Sequence, residues 1–191
     1  HGPAIVAGVM LHATRCFNVD ESGSSWYSIE NVCCIRCLVW PPQAAEWTTR
    51  HREHNWPDTE TINYVVNNGC DVVQVAHPHC RELNLCQWRL SFSRAETVLL
   101  NTWSPVQQLV YHMLRVFTTS IQVDNEKSVI KRYHIKTLMM WMCESLSPEW
   151  WNSCCVVNIC TQLLHELAER LISTRFPMYF VPECNLNDSI E

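Results

Sequence analysis

From Trp88 to Ser93 apolar and polar side chains alternate, Trp88, Leu90 and Phe92 against Arg89, Ser91 and Ser93, which is the period of a half-buried strand. At Ser93 the period changes to three and four. Ala95, Val98 and Leu99 mark a helical face, and Ser93 with Glu96 has capping-box spacing. The pattern predicts a strand whose polar face ends at a helix N-terminus, where orphan N–H groups and the positive dipole end favour anions.

Upstream, "SIENVCCIRCLV" (28–39) reads as a strand rich in Val, Ile and Cys, and "WPPQAAEW" breaks it and starts a helix with proline near its first position. Asp58 has the place of an N-cap before the stripe Ile62, Val65, Val66; Asn68-Gly69 is a stop signal, and "CDVVQVA" returns to strand. The strands of this half are expected to be short.

After Ser93 the pattern is helical almost throughout. Ser104-Pro105 with Gln107 forms a capped start for the stripe Val106, Leu109, Val110, Met113, Leu114, Phe117, and "TTSIQVDNEKS" follows as a polar loop. Ile130, Tyr133, Thr137, Leu138 and Trp141 mark a second long helix. Cys155, Val156, Ile159, Cys160, Leu163, Leu164, Leu167, Leu171 and Ile172 mark a third, so Leu164→Asp is expected to cost more than any surface change. "RFPMYFVPECNLND" reads as an irregular closing segment pinned by aromatics and two prolines. The fold class is therefore α+β, with strands and helices mixed in the N-terminal half and a helical bundle after it.

Composition narrows the function. The chain has 191 residues, 47% hydrophobic and 17% charged, with a formal charge of −5. Such a balance supports a packed core and argues against a surface dedicated to duplex nucleic acid. No run reaches the roughly 18 apolar residues of a membrane helix, and "VCCIRCLVW" is broken by Arg36. Twelve cysteines in a chain this rich in core residues fit buried thiols in a reducing, cytoplasmic setting better than a disulfide scaffold. With four glycines and no phosphate-cradling glycine loop, any phosphate must be held by side chains and helix ends.

The blocks "WPPQAAEW", "WRLSFSRAE", "YHIKTLMMW" and "YFVPECNL" occur in that order, and with them the chain resembles the Mab-21-like family, the cyclic GMP-AMP synthase-like nucleotidyltransferases, from about His1 to about Asp188. The resemblance implies the C-terminal part of a bilobed nucleotidyltransferase fold. Residues 1–92 would be the remnant of the nucleotidyltransferase core and 93–191 the helical domain, of helix-hairpin-helix type. "HGPAIV" resembles the strand that follows the family's first two catalytic carboxylates, so those would precede His1 and the chain alone is expected to be inactive. "SIENVCCIR" resembles the strand that supplies the third, which puts Glu30, in place of the usual Asp, as catalytic residue and Mg²⁺ or Mn²⁺ ligand. Gly23-Ser24 is not the missing signature, since no acid-x-acid pair follows it at a suitable distance. The implied nucleotide cradle is Arg89, Ser91, Ser93, Arg115 in place of a phosphate-facing lysine, and Tyr133 as a base-stacking aromatic; Arg132 stands where relatives tend to have serine. The implied partner is an NTP, ATP or GTP. A nucleic-acid activator finds no support in the net charge, no membrane is implied, and the intact parent would make a cyclic dinucleotide. The alternative is a Mab-21-like binding or scaffold protein that has lost catalysis.

Plainer readings stand beside these. Arg89, Ser91 and Ser93 could be a solvated strand face followed by an ordinary cap, with Glu96 a capping-box residue, and Tyr133 and Trp141 core aromatics. His77, His79, Cys80 and Cys86 have zinc-ligand chemistry without finger spacing, and "NTWSPVQQ" leaves no room for the synthase's zinc insertion. Cys34 and Cys37 form a C-x-x-C in an apolar run, where buried thiols are expected rather than redox chemistry. His51, Glu53 and His54 read as a solvated helix face, and Lys127, Lys131, Arg132 and Lys136 as a basic one.

Overall fold

The computed structural model describes residues 6–19, 25–74, 88–121, 130–153 and 155–189, with side chains from Cys34 onward. Gly23-Ser24, the His77, His79, Cys80 and Cys86 set, and Lys127 with most of the expected polar loop lie outside the described residues.

Among the described residues four strands form one antiparallel sheet in the order β1-β2-β3-β4. β1 (Val6–Val19) and β2 (Ser25–Cys37) pair in unbroken register from Val9↔Ile35 to Val19↔Ser25. Both are long, where the sequence suggested short strands; the pattern of β1, interrupted by Gly8 and Arg15, carries no clean alternation, and pairing with β2 supplies what propensity does not. β3 (Cys70–Gln74) pairs with β2, and β4 (Trp88–Ser91) with β3.

Between β2 and β3 the chain makes a 3₁₀ turn at Pro42–Ala44, a short helix α1 (Ala45–Thr49), a loop, and α2 (Thr59–Asn68). Asp58 caps α2 as expected: its Oδ1 accepts the Thr61 N–H at 2.7 Å. Gly69 ends that helix at φ +65°, and no other residue fits, since a Cβ there would meet the Cys37 carbonyl oxygen at 2.1 Å. His51, Glu53 and His54 fall in the loop after α1 rather than on a helix. α1 ends at Thr49, and Arg50 leaves in extended conformation to make buried ion pairs.

α3 (Ser93–Asn101) follows β4 directly, and α4 (Pro105–Ile121), α5 (Arg132–Ser145), α6 (Pro148–Ser153) and α7 (Val156–Ile172) complete the helical part. The α4 capping box forms: Ser104 N–H donates to Gln107 Oε1 at 2.8 Å, and Gln107 N–H to Ser104 Oγ at 3.3 Å. α5 is the central helix, with Ile135, Leu138, Met139 and Met140 all fully buried. α4 faces the core through Val110 and Leu114, while Leu109, Met113 and Phe117 of its predicted stripe are exposed. In α7 the expected stripe is buried at Ile159, Cys160, Leu163 and Leu167, while Leu164, the position expected to be most costly, is only half-buried and Ile172 is exposed.

The closing segment hooks back. Asn185 Oδ1 accepts the Phe176 N–H at 2.7 Å, Leu186 N–H donates to the Phe176 carbonyl at 2.7 Å, and Phe176, Tyr179 and Phe180 are buried. Glu144, near the end of α5, is buried too, and a buried carboxylate needs partners. Arg50 Nη1 reaches it at 3.2 Å, Arg52 Nε at 3.4 Å, and the Tyr179 hydroxyl donates to it at 2.6 Å. Arg50 also donates to the Tyr179 carbonyl at 3.0 Å and to Glu46, and lies 4.6 Å over the Trp141 ring.

Two mutational outcomes follow from this packing. Arg50→Ala should lower unfolding free energy by about 3 kcal/mol, the low end for breaking a buried pair because Arg52 and Tyr179 still reach Glu144. A loss below about 1 kcal/mol in urea titration would contradict the clasp. Leu163→Ala should cost about 2–5 kcal/mol and exceed Leu164→Ala by at least about 1 kcal/mol; equal costs would contradict the register.

Candidate functional site

β4 delivers Arg89 and Ser91 to one edge of the sheet, and the chain turns at Phe92 into α3. Phe92 makes that turn rigid: its ring stacks on Phe180 at 4.7 Å and packs against Trp40 at 5.4 Å. On the polar side Ser91 Oγ and Ser93 Oγ stand 3.0 Å apart and share a hydrogen bond. Arg89 is exposed, while Ser91 and Ser93 are half-buried. The alternation of the sequence thus places the two hydroxyls and the guanidinium around the start of α3.

The expected capping box at Ser93 does not form. Phe92 is the N-cap and gives no side-chain bond; Glu96 turns inward instead, is buried, and accepts from Lys136 Nζ of α5 at 2.5 Å. A carboxylate in that position binds more strongly to a cation across the interface than to its own helix start. Lys136 is therefore no part of a merely solvated basic face: its ammonium is held by Glu96 and lies 5.4 Å over the Tyr133 ring. Tyr133 is half-buried with its hydroxyl toward Glu96; burial and that carboxylate push the phenol above its ordinary range, and Arg89 pulls it the other way. The structure so brings Arg89, Ser91, Ser93 and Tyr133 into one corner. Arg115 is placed on α4 with its guanidinium 5.4 Å over the Tyr111 ring, and Arg132 is the exposed first residue of α5.

Glu30 lies in β2 opposite Thr14. Cys34 pairs with Val73 and Val73 with Arg89; Arg36 pairs with Asp71 and Asp71 with Ser91. Strand alternation puts position 30 in the same set as positions 34 and 36, hence on the sheet face that carries Arg89 and Ser91. It stands four residues along β2 from the level of Arg89, roughly 13 Å at the strand rise.

Sequence reasoning missed two supports of the corner. Asp71, buried in β3, accepts from Arg94 Nε of α3 at 3.0 Å, which fastens the helix start to the sheet. The signal was a charge inside the apolar run "CDVVQVA", since a buried acid requires a nearby cation. His134 is the second. Its Nδ1 accepts the Lys131 N–H at 2.9 Å and fixes the first turn of α5, from which Tyr133 and Lys136 project. Trp141 is structural, donating to the Pro177 carbonyl at 3.0 Å under Arg50. Among the described residues no group of three His, Cys, Asp or Glu is arranged to hold a metal ion. A cavity of about 240 Å³ lined by Trp56, Thr102, Gln107 and Trp151 shares no residue with the corner.

Burial, with the Lys131 charge adding to it, lowers the His134 imidazole from 6.5 to about 4. The unfolded chain takes up this proton at higher pH than the folded one, so stability falls as pH drops through that interval and is fully present above it. Between pH 7 and pH 5 the unfolding free energy should fall by about 2 kcal/mol from this group, and His134→Gln should flatten the urea midpoint over the same range. An unchanged pH profile in that variant would contradict the assignment.

Comparison with known proteins places both halves. Residues 9–102 match the Mab-21 protein nucleotidyltransferase domain and residues 106–191 the Mab-21 protein HhH/H2TH-like domain. The chain is 27% identical over 127 residues to Protein mab-21-like 3 of Danio rerio, covering 65% of this chain and 30% of that protein. It is 24% identical over 166 residues to Protein mab-21-like of Aedes aegypti, covering 84% of this chain and 44% of that protein. It spans less than half the length of these relatives. No described helix is long and apolar enough to cross a membrane. With an α+β fold, a sheet leading into a helical bundle, and both family domains matched in order, the chain belongs to the Mab-21-like family of nucleotidyltransferase-fold proteins.

Proposed function

We propose that the corner between β4, α3 and α5 binds a nucleoside triphosphate, ATP or GTP, and that in a longer parent protein this binding serves nucleotidyl transfer to a cyclic dinucleotide. The observation that carries the reading is the shared sheet face: register puts Arg89, Ser91 and position 30 on one side, with the start of α3 and Tyr133 at the end of it.

Each group has a distinct task. Arg89 is an exposed cation with a planar fork of donors suited to phosphate oxygens or a base edge. Ser91 and Ser93, sharing one hydrogen bond, keep donor and acceptor capacity for a ligand. Tyr133 offers its ring, since its hydroxyl is turned to Glu96. Lys136 spends its charge on Glu96, which leaves Arg89 as the cation directed at the ligand and Lys136 as a positioning residue for Tyr133. Arg115, on α4, would meet a phosphate only if the ligand reached across to that helix.

Mg²⁺ or Mn²⁺, held by Glu30 and by carboxylates of the longer parent, would supply the charge that activates a ribose hydroxyl against an α-phosphate. The described corner holds and orients the nucleotide. A second reading, a binding or scaffold module without catalysis, is favoured by two departures from the family pattern, Glu30 for Asp and Arg132 for Ser.

Calorimetry with ATP or GTP should show binding that Arg89→Ala weakens about tenfold or more, the worth of a charged hydrogen bond; unchanged affinity would remove the corner from the account. Incubation of this chain with ATP, GTP and Mg²⁺ or Mn²⁺ should give no cyclic dinucleotide. Turnover would overturn the assignment of catalysis to a longer parent.

A further inference from the structure

Away from the nucleotide corner, on the opposite face of the sheet, Cys37 at the end of β2 is the direct register partner of Cys70 at the start of β3. We propose that Cys37 and Cys70 form a site of reversible disulfide modification, reacting with disulfide-class oxidants such as glutathione disulfide to give an intrachain cross-strand bond. Directly opposed residues on antiparallel strands have Cβ atoms about 4.5–5.5 Å apart, close to the separation a disulfide needs. The thiols are free, and Cys37 is near enough to Cys70 to help raise its thiol.

Two independent features hold them there. Gly69, at φ +65°, lets the α2–β3 turn close against the Cys37 and Leu38 backbone with no room for a Cβ. Beside it, Arg36 Nη2 donates to the Asn68 carbonyl at 3.0 Å, tying the residue before that turn to β2. The pair is thus preset, so closing the ring requires little backbone movement.

Exposure assigns the order of events. Cys70 is buried, whereas Cys37 is half-buried and adjoins Leu38 and Val39, both exposed. Burial, the Cys37 thiol and the neighbouring Asp71 carboxylate push the Cys70 thiol up to about 12, and Asp71 is itself paired with Arg94 of α3. Cys37 as thiolate therefore attacks one sulfur of glutathione disulfide, forming a mixed disulfide and releasing one glutathione thiolate. Cys70 then loses its proton and attacks the Cys37 sulfur; the second glutathione leaves as thiolate and takes up that proton. The two protein thiols are oxidised together and one glutathione disulfide is reduced to two glutathiones. Because Cys70 holds its proton tightly, its attack is the slower of the two steps, and in the reverse direction it is the poorer leaving group.

The experiment is peptide mapping by mass spectrometry after the full chain is incubated, folded, with glutathione disulfide. The expected product is a linked pair of peptides containing Cys37 and Cys70, lighter by two hydrogens and separated again by dithiothreitol. Cys70→Ser should instead retain glutathione on Cys37, and Cys37→Ser should leave Cys70 unmodified. Persistent glutathione on Cys37 in the unaltered chain, or Cys70 linked to another cysteine, would overturn the proposal.

Discussion

Glu144 is a carboxylate in a hydrophobic core, and much of the architecture answers the need to neutralise it. Its partners come from separate places in the chain: Arg50 and Arg52 from the loop after α1, and Tyr179 from the closing hook. One buried charge therefore ties the segment inserted between β2 and β3 to the central helix and to the C-terminal end. The rings around it, Trp47, Trp141 and Tyr179, fill the space with apolar surface and π faces that accept a guanidinium. Such a network adds little to stability compared with an apolar core of the same shape, but it fixes one arrangement, because any shifted packing strands a charge.

That fixed arrangement is what the candidate site uses. Phe180, next to Tyr179 in the hook, stacks on Phe92 at the turn between β4 and α3. The clasp is thus one residue from the contact that sets the corner. A second layer of buried pairs, Asp71 with Arg94 and Glu96 with Lys136, locks α3 to the sheet on one side and to α5 on the other. Arg89, Ser91, Ser93 and Tyr133 can then be small in number and still well placed, since their backbone has no freedom to lose.

Local chemistry made much of this legible in the sequence. The strand-to-helix join at Ser93, the Asp58 cap, the Gly69 stop and the Ser104–Gln107 box are decided within a few residues, and the structure has each element where the pattern put it. The features that escaped are decided by distant partners. Glu96 has capping spacing, yet Lys136, forty residues on, competes better for it. Leu164 and Leu163 are equally apolar in the stripe of α7, and only the neighbouring helices determine which is buried. The clasp gave no periodic signal at all, because Arg50, Glu144 and Tyr179 are far apart in the chain. Membership of the Mab-21-like family was carried by short blocks around the corner and the hook, the same segments that the buried charges hold together.

The proposed nucleotide corner is open to a direct measurement. Hydrogen–deuterium exchange with and without Mg²⁺-ATP tests it without altering the chain. Nucleotide bound in the corner should add protection in residues 88–96 and in the first turns of α5, with α6 and α7 unchanged. Protection confined to α6 and α7, or none at saturating nucleotide, would contradict it.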